Sequence, residues 1–206
     1  MSRQIDYYFS HISPWAYIGH QLFLDIAKKH GATIRYKPVS LMELFPQTGG
    51  LPLGKRHPAR QSYRWLELQR WRERRGLTFN LKPAHWPFDM SLADRLAIAA
   101  DQAGHDVADL TTRILCAVFE QERNCADEAV LAAILAEAGL PASLLEAAKA
   151  PAAEKIYTDH FDEAVAAGVF GSPAYVLNGE VFWGQDRLDF VEDALRSGRA
   201  PYLSLA

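Results

Sequence analysis

Ile5-Asp6-Tyr7-Tyr8-Phe9-Ser10-His11-Ile12-Ser13-Pro14-Trp15-Ala16-Tyr17 is the stretch from which the rest of the chain is read. An apolar run of strand type ends in a short loop, after which Ser13 and Pro14 stand at N-cap and first helical positions. Unpaired N–H groups and the helix dipole make such a place hospitable to an anion, and a hydroxyl adds one more donor; a thiolate would suit it. The plainer explanation is that Ser13 only caps the helix. A second stretch far along the chain, Val169-Phe170-Gly171-Ser172-Pro173-Ala174-Tyr175-Val176-Leu177-Asn178-Gly179, shifts the balance toward function.

Outward from Pro14, Trp15, Ile18, Leu22 and Ile26 recur at helical spacing until Gly31, and residues 33–39 alternate like a strand, so the opening is a β-α-β unit with a parallel pair. Residues 40–58 carry Gly49, Gly50, Pro52, Gly54 and Pro58, a loop composition. A helix is expected from about Ala59 to Arg75, then an irregular link through Pro83 and Pro87 whose aromatic residues serve equally as core cover or as a substrate wall. Helices are expected over 92–103 with Ser91 as N-cap, and over 106–122, 127–138, 142–149 and 152–167. Beyond Gly168, two short strands flank Asn178-Gly179, the strongest short hairpin signal, and a last helix runs from about Asp186 to Arg196.

The chain has 206 residues, enough for one domain with a large insertion, and a net charge of -3 with both signs interspersed. That charge carries neither a nucleic-acid footprint nor a polybasic membrane anchor. Arg70-Trp71-Arg72-Glu73-Arg74-Arg75 reads as a solvated helix face. Met1-Ser2-Arg3-Gln4 leads straight into a strand without an apolar signal region, and no stretch is long enough to span a bilayer, so a cytoplasmic protein is expected. Cys116 and Cys125 fit neither a redox C-x-x-C nor a zinc pattern, and the histidines lack metal-ligand spacing, so no metal is expected.

With the helical insert set aside, the order β-α-β, β-β-α resembles the thioredoxin fold. Ser13-Pro14-Trp15-Ala16 stands where that fold carries C-x-x-C, and Ser172-Pro173 resembles its cis-proline step. The insert is like that of the DsbA class. The fold expected is therefore α/β, thioredoxin-like with a large all-helical insertion, with residues 1–40 and 168–206 forming a discontinuous thioredoxin-like domain and 41–167 the helical one. A closer resemblance is to the kappa-class glutathione transferases and, among them, the 2-hydroxychromene-2-carboxylate isomerases. It rests on Phe9 with Ser13 to Tyr17, on Gly168 to Pro173, on Phe182-Trp183-Gly184-Gln185-Asp186-Arg187-Leu188 and, more weakly, on Leu68-Gln69-Arg70-Trp71.

Without cysteines at the helix start this site cannot exchange dithiols, but it can use a thiol that a cosubstrate brings. The resemblance implies glutathione as cofactor, laid against Ser172 and Pro173 with its sulfur toward a catalytic Ser13. It places the γ-glutamyl end near Gln185 and Asp186, Asp186 being alternatively an N-cap, and the glycine carboxylate near Arg60. It departs from the family at Gly50, where relatives often carry asparagine. Implied chemistry is transient thiolate addition to a small aromatic substrate, rotation and elimination. Trp15, Tyr17, Trp86, His85 and Arg56 are candidates for the substrate side. A transferase or peroxidase acting on hydrophobic electrophiles, and a non-catalytic peptide-binding module, are the alternatives; relatives imply a homodimer.

Overall fold

Strand β1, Gln4–Phe9, buries Ile5, Tyr7 and Phe9 on one side and Tyr8 on the other, as a central strand covered on both faces does. The structure, a computed structural model, describes residues 3–203; Met1, Ser2 and Ser204–Ala206, included in the expected domain bounds, lie outside them. Beta-1 pairs in parallel with β2, Thr33–Pro38, in the register Gln4↔Thr33 to Phe9↔Pro38. On its other side it pairs antiparallel with β3, Ala174–Leu177, which pairs in turn with β4, Glu180–Trp183, giving the order β2-β1-β3-β4. Asn178 and Gly179 turn the hairpin at φ 54° and 85°, the doubly positive geometry that Asn-Gly adopts readily.

One face of the sheet presents Ile5, Tyr7, Phe9 and Tyr175 to helix α1, Pro14–His30, and to α9, Leu188–Ser197. Tyr8, Ala174 and Val176 on the other face meet α2, Leu41–Gln47, and α8, Pro151–Ala166. Between β2 and β3 the chain also forms α3 (Pro58–Arg75), α4 (Ser91–Gln102), α5 (Val107–Phe119), α6 (Glu128–Glu137) and α7 (Ser143–Lys149), which bury a core of their own. Ala93, Ala97 and Ala100 are fully buried, so α4 approaches its neighbours closely, touching β2, α5, α7 and α8.

Three expectations need correction. Residues 41–47, read as loop, form a two-turn helix that tolerates Pro46, because Leu41 and Leu44 bury themselves against the sheet. Ser91 is not the N-cap but the first residue of α4, after Met90 at the cap position, and its N–H donates to Asp89 Oδ1 at 2.9 Å. Asp186 is not the N-cap of the last helix: residues 185–187 form a separate short turn before α9 starts at Leu188.

Candidate active site

The β1–α1 loop is fixed from three sides. Ser13 is the N-cap of α1, in extended backbone geometry, and Oγ accepts from the Ala16 N–H at 3.2 Å. The same hydroxyl donates to the Ser172 carbonyl at 3.2 Å, and the Ser10 N–H donates to Ser172 Oγ at 3.3 Å. Ser172-Pro173 is a cis peptide. Trp86 Nε1 donates to the Ile12 carbonyl at 2.8 Å. From beneath, Asp94 of α4, wholly buried, accepts from Ser10 Oγ (2.9 Å), the His11 N–H (3.0 Å), His11 Nδ1 (2.7 Å) and Tyr157 OH (3.0 Å).

At the helix start Pro14 has no N–H, Ala16 is committed to Ser13 Oγ, and the Tyr17 N–H donates to the Ser13 carbonyl at 3.1 Å. The Trp15 N–H is therefore the donor that the first turn has left to offer an anion.

Two adjoining cavities open here, sharing Trp15, Arg56, Arg64, Ser172 and Trp183. The first, of about 470 Å³, is charged: Arg60, Gln185 and Asp186 line it with Glu67 and Arg187. The second, of about 360 Å³, holds Ser13 and Pro14 and is walled by Trp86, Phe45, Leu53 and Met90. Gln185 is buried and held by Arg75 Nη2, which donates to Oε1 at 3.0 Å, whereas the Asp186 carboxylate accepts from Arg187 at 2.7 Å. Pro173 lines neither cavity; its carbonyl accepts the Gly184 N–H at 2.8 Å.

Thus the structure brings together Ser13, Ser172, Gln185, Asp186, Arg60, Arg56, Trp15 and Trp86. It does not bring Tyr17 or His85. Residues two apart on a helix lie about 200° apart around it, so with Trp15 at the cavities Tyr17 points into the helical core, between Phe79 and Phe119, its hydroxyl donating to Glu120 at 2.7 Å. Burial raises the pKa of that hydroxyl. His85 is exposed and borders neither cavity. Gly50 borders neither cavity either, and a Cβ there would meet Phe45 Cδ1 at 2.9 Å, so an asparagine requires Phe45 to move.

Sequence reasoning missed Arg64, Trp183 and Asp94. Arg60, Tyr63, Arg64, Glu67 and Trp71 form one face of α3 along the charged cavity, an i, i+3, i+4, i+7 run that could have been recognised. Nothing local marks Asp94. Among the described residues no cluster suits a metal ion, and no helix is long and apolar enough to cross a membrane.

A thioredoxin-type sheet and helix start, with serine in the first redox position and a cis-proline step against it, define a thioredoxin-fold protein. The chain belongs to the family of DSBA-like thioredoxin domains, whose model matches residues 4–196. It is 28% identical over 198 residues, covering 95% of this chain and 99% of the relative, to a 2-hydroxychromene-2-carboxylate isomerase of Sphingobium xenophagum. A solved structure of 2-hydroxychromene-2-carboxylate isomerase superimposes with a TM-score of 0.82 at 25% identity, over 94% of this chain and 95% of that one. The cytosolic disulfide reductase DsbM from Pseudomonas aeruginosa with GSH shares the fold, with a TM-score of 0.69 at 21% identity over 95% and 96% of the two chains.

Proposed function

We propose that this protein is a glutathione-dependent cis-trans isomerase of the 2-hydroxychromene-2-carboxylate isomerase type, with Ser13 as its catalytic residue. The observation that carries the reading is the meeting of a charged cavity and an apolar cavity at Trp15 and Ser172, beside the Ser13 hydroxyl. Glutathione fits the first: it has two carboxylates and one ammonium, and the lining offers Arg56 and Arg60 against Asp186 and Glu67. In this reading Asp186 and Gln185 take the ammonium end, Arg60 a carboxylate, and the backbone at Ser172 and Pro173 the peptide. When bound, glutathione supplies a thiol that adds reversibly to a conjugated double bond and so is not consumed. The chain's own part is to offer the Trp15 N–H and, once it is released from the Ser172 carbonyl, the Ser13 hydroxyl to one point, where they favour a negative charge. The apolar wall of Trp86, Phe45 and Met90 holds a flat aromatic substrate and excludes water.

The division into a thioredoxin-like unit (1–40 and 168–206) and a helical unit (41–167), a cytoplasmic location and a homodimer belong to the same reading. Calorimetric titration with reduced glutathione, followed by an isomerisation assay, tests it. Wild type should bind saturably, Asp186→Ala more weakly, and Ser13→Ala should lose roughly 10- to 100-fold in kcat with little change in affinity, the worth of one hydrogen bond to a charged group. Absence of binding at millimolar glutathione would sink the reading. Consumption of glutathione in proportion to turnover would instead make the protein a transferase.

A further inference from the structure

Arg64 lies at the junction of the two cavities, buried on one nitrogen and without an ion pair. Its guanidinium stacks over Trp65 at 5.3 Å and Trp86 at 5.1 Å, and Nη1 is buried without a hydrogen-bond partner. Arg60 and Arg187 open onto the charged cavity only, and Arg56 spends its Nε–H on the Leu51 carbonyl at 2.7 Å. No carboxylate of the described residues forms an ion pair with Arg64, although Arg75, Arg95, Arg113, Arg123 and Arg199 each have an acceptor. Burial, then the Arg56 charge, push its pKa down to about 10, so it stays a cation at neutral pH. A half-buried cation held between aromatic faces with no internal anion is a site for an external one. The ring it stacks on, Trp86, lines the apolar cavity and not the charged one, which sets the guanidinium at the edge of the space for a flat ring.

We propose that Arg64 is the specificity-determining residue of the substrate side, anchoring the carboxylate of a planar aromatic acid whose ring lies in the apolar cavity against Trp86. The inference rests on the proposed isomerase reading for the kind of ligand, and on the position and missing partner of Arg64 for the residue. It makes Arg64, and not His85, the cation that selects an acid over its neutral analogue. The guanidinium fork matches a carboxylate in a plane, whereas an amide of the same shape offers no charge.

The test is calorimetric titration of the full chain, without glutathione, using trans-cinnamate and its neutral amide as probes. Wild type is expected to bind the acid about tenfold or more tightly than the amide, as a charge-assisted pair in a half-buried site implies. Arg64→Met, which keeps an unbranched apolar stem beside Trp86, should reduce that preference to within about twofold, and Arg64→Lys should retain part of it. Thermal unfolding of each variant checks that it is folded. An equal affinity of wild type for acid and amide, or an undiminished preference in Arg64→Met, overturns the proposal. So does a loss confined to glutathione affinity, which would assign the guanidinium to the thiol's cavity. Because the probes are bound without glutathione, a wild type that prefers the acid but shows no glutathione-dependent turnover would refute the isomerase reading and leave the Arg64 assignment standing.

Discussion

Removing the Asp94 carboxylate should cost more than any other single polar change near the site. Its two oxygens each accept two hydrogen bonds: Oδ1 from the His11 N–H and His11 Nδ1, and Oδ2 from Ser10 Oγ and Tyr157 OH. In Asp94→Ala the hydroxyls of Ser10 and Tyr157 can turn elsewhere, but the backbone N–H of His11 cannot, and both His11 donors stay buried. Counting about 1–3 kcal/mol for each stranded His11 donor and less for the hydroxyls, the loss is about 3–5 kcal/mol. Asp94→Asn is a sharper probe, because its amide oxygen can face His11 while its NH₂ group donates to the two hydroxyls, which are able to accept. It should cost only about 1–2 kcal/mol, the difference between charge-assisted and neutral bonds. Urea unfolding measures both. With a slope of about 2.5 kcal/mol/M, Asp94→Ala should lower the midpoint by roughly 1–2 M and Asp94→Asn by less than about 1 M. A midpoint for Asp94→Ala within about 0.3 M of wild type, or two variants of equal cost, would refute the idea that this carboxylate ties the Ser13 loop to α4.

Burial lowers the pKa of His20 to about 4, an effect that outweighs the opposing Ala108 carbonyl. Since the unfolded chain takes up that proton near pH 6.5, stability is full above about 6.5 and falls by up to roughly 3 kcal/mol as the pH drops toward 4; His20→Gln should remove that much of the acid sensitivity, and equal losses in urea midpoints at pH 7 and pH 4.5 would refute it. A Cβ at Gly19 would lie 2.5 Å from Gln185 Cβ; Gly19→Ala should therefore cost about 1–3 kcal/mol by overpacking and weaken glutathione binding by displacing the 185–187 turn, and an unchanged calorimetric affinity would show that the turn is not part of that cavity. Ser13→Cys converts the anion preference of the helix start into a measurable thiol pKa. Alkylation rates against pH should give a midpoint at least about one unit below the ordinary 8.5, and a midpoint above it would mean that desolvation of this nearly buried position prevails.

The sequence carried much of this arrangement where local chemistry sets structure. Ser13-Pro14 announces the start of α1, Gly31 its stop, Gly76 the stop of α3 and Asn178-Gly179 the hairpin, because each of these residues is chosen by a backbone geometry of its own neighbourhood. Residues 41–47 read as loop because Gly49, Gly50, Pro52 and Gly54, which follow them, outweigh, in composition, two buried leucines whose partners lie far off in the chain. Asp94 was invisible for the same reason, since its partners are Ser10 and His11, more than 80 residues away, and Tyr157. Trp15 and Tyr17 are both aromatic candidates for the substrate side, but helical geometry sends one to the cavities and the other to the core. Arg64 was legible in principle, one turn beyond Arg60 on the same face, but only once that face is known to border a cavity.

What distinguishes this site from a redox thioredoxin site is how its one proton is spent. The Ser13 hydroxyl has a single hydrogen, and it is committed to the Ser172 carbonyl while the oxygen accepts from Ala16. For Ser13 to donate to an incoming sulfur, that bond to Ser172 must be released, and Ser172 then needs another donor. In the proposed reading an extended peptide lying along Ser172 carries such donors in its own amides. The exchange is thus close to balanced when the whole tripeptide is present and unfavourable when a bare thiol is offered. The cofactor's backbone, and not only its sulfur, is in that case what frees the hydroxyl for catalysis, which explains why a helix start without a cysteine needs a peptide groove beside it.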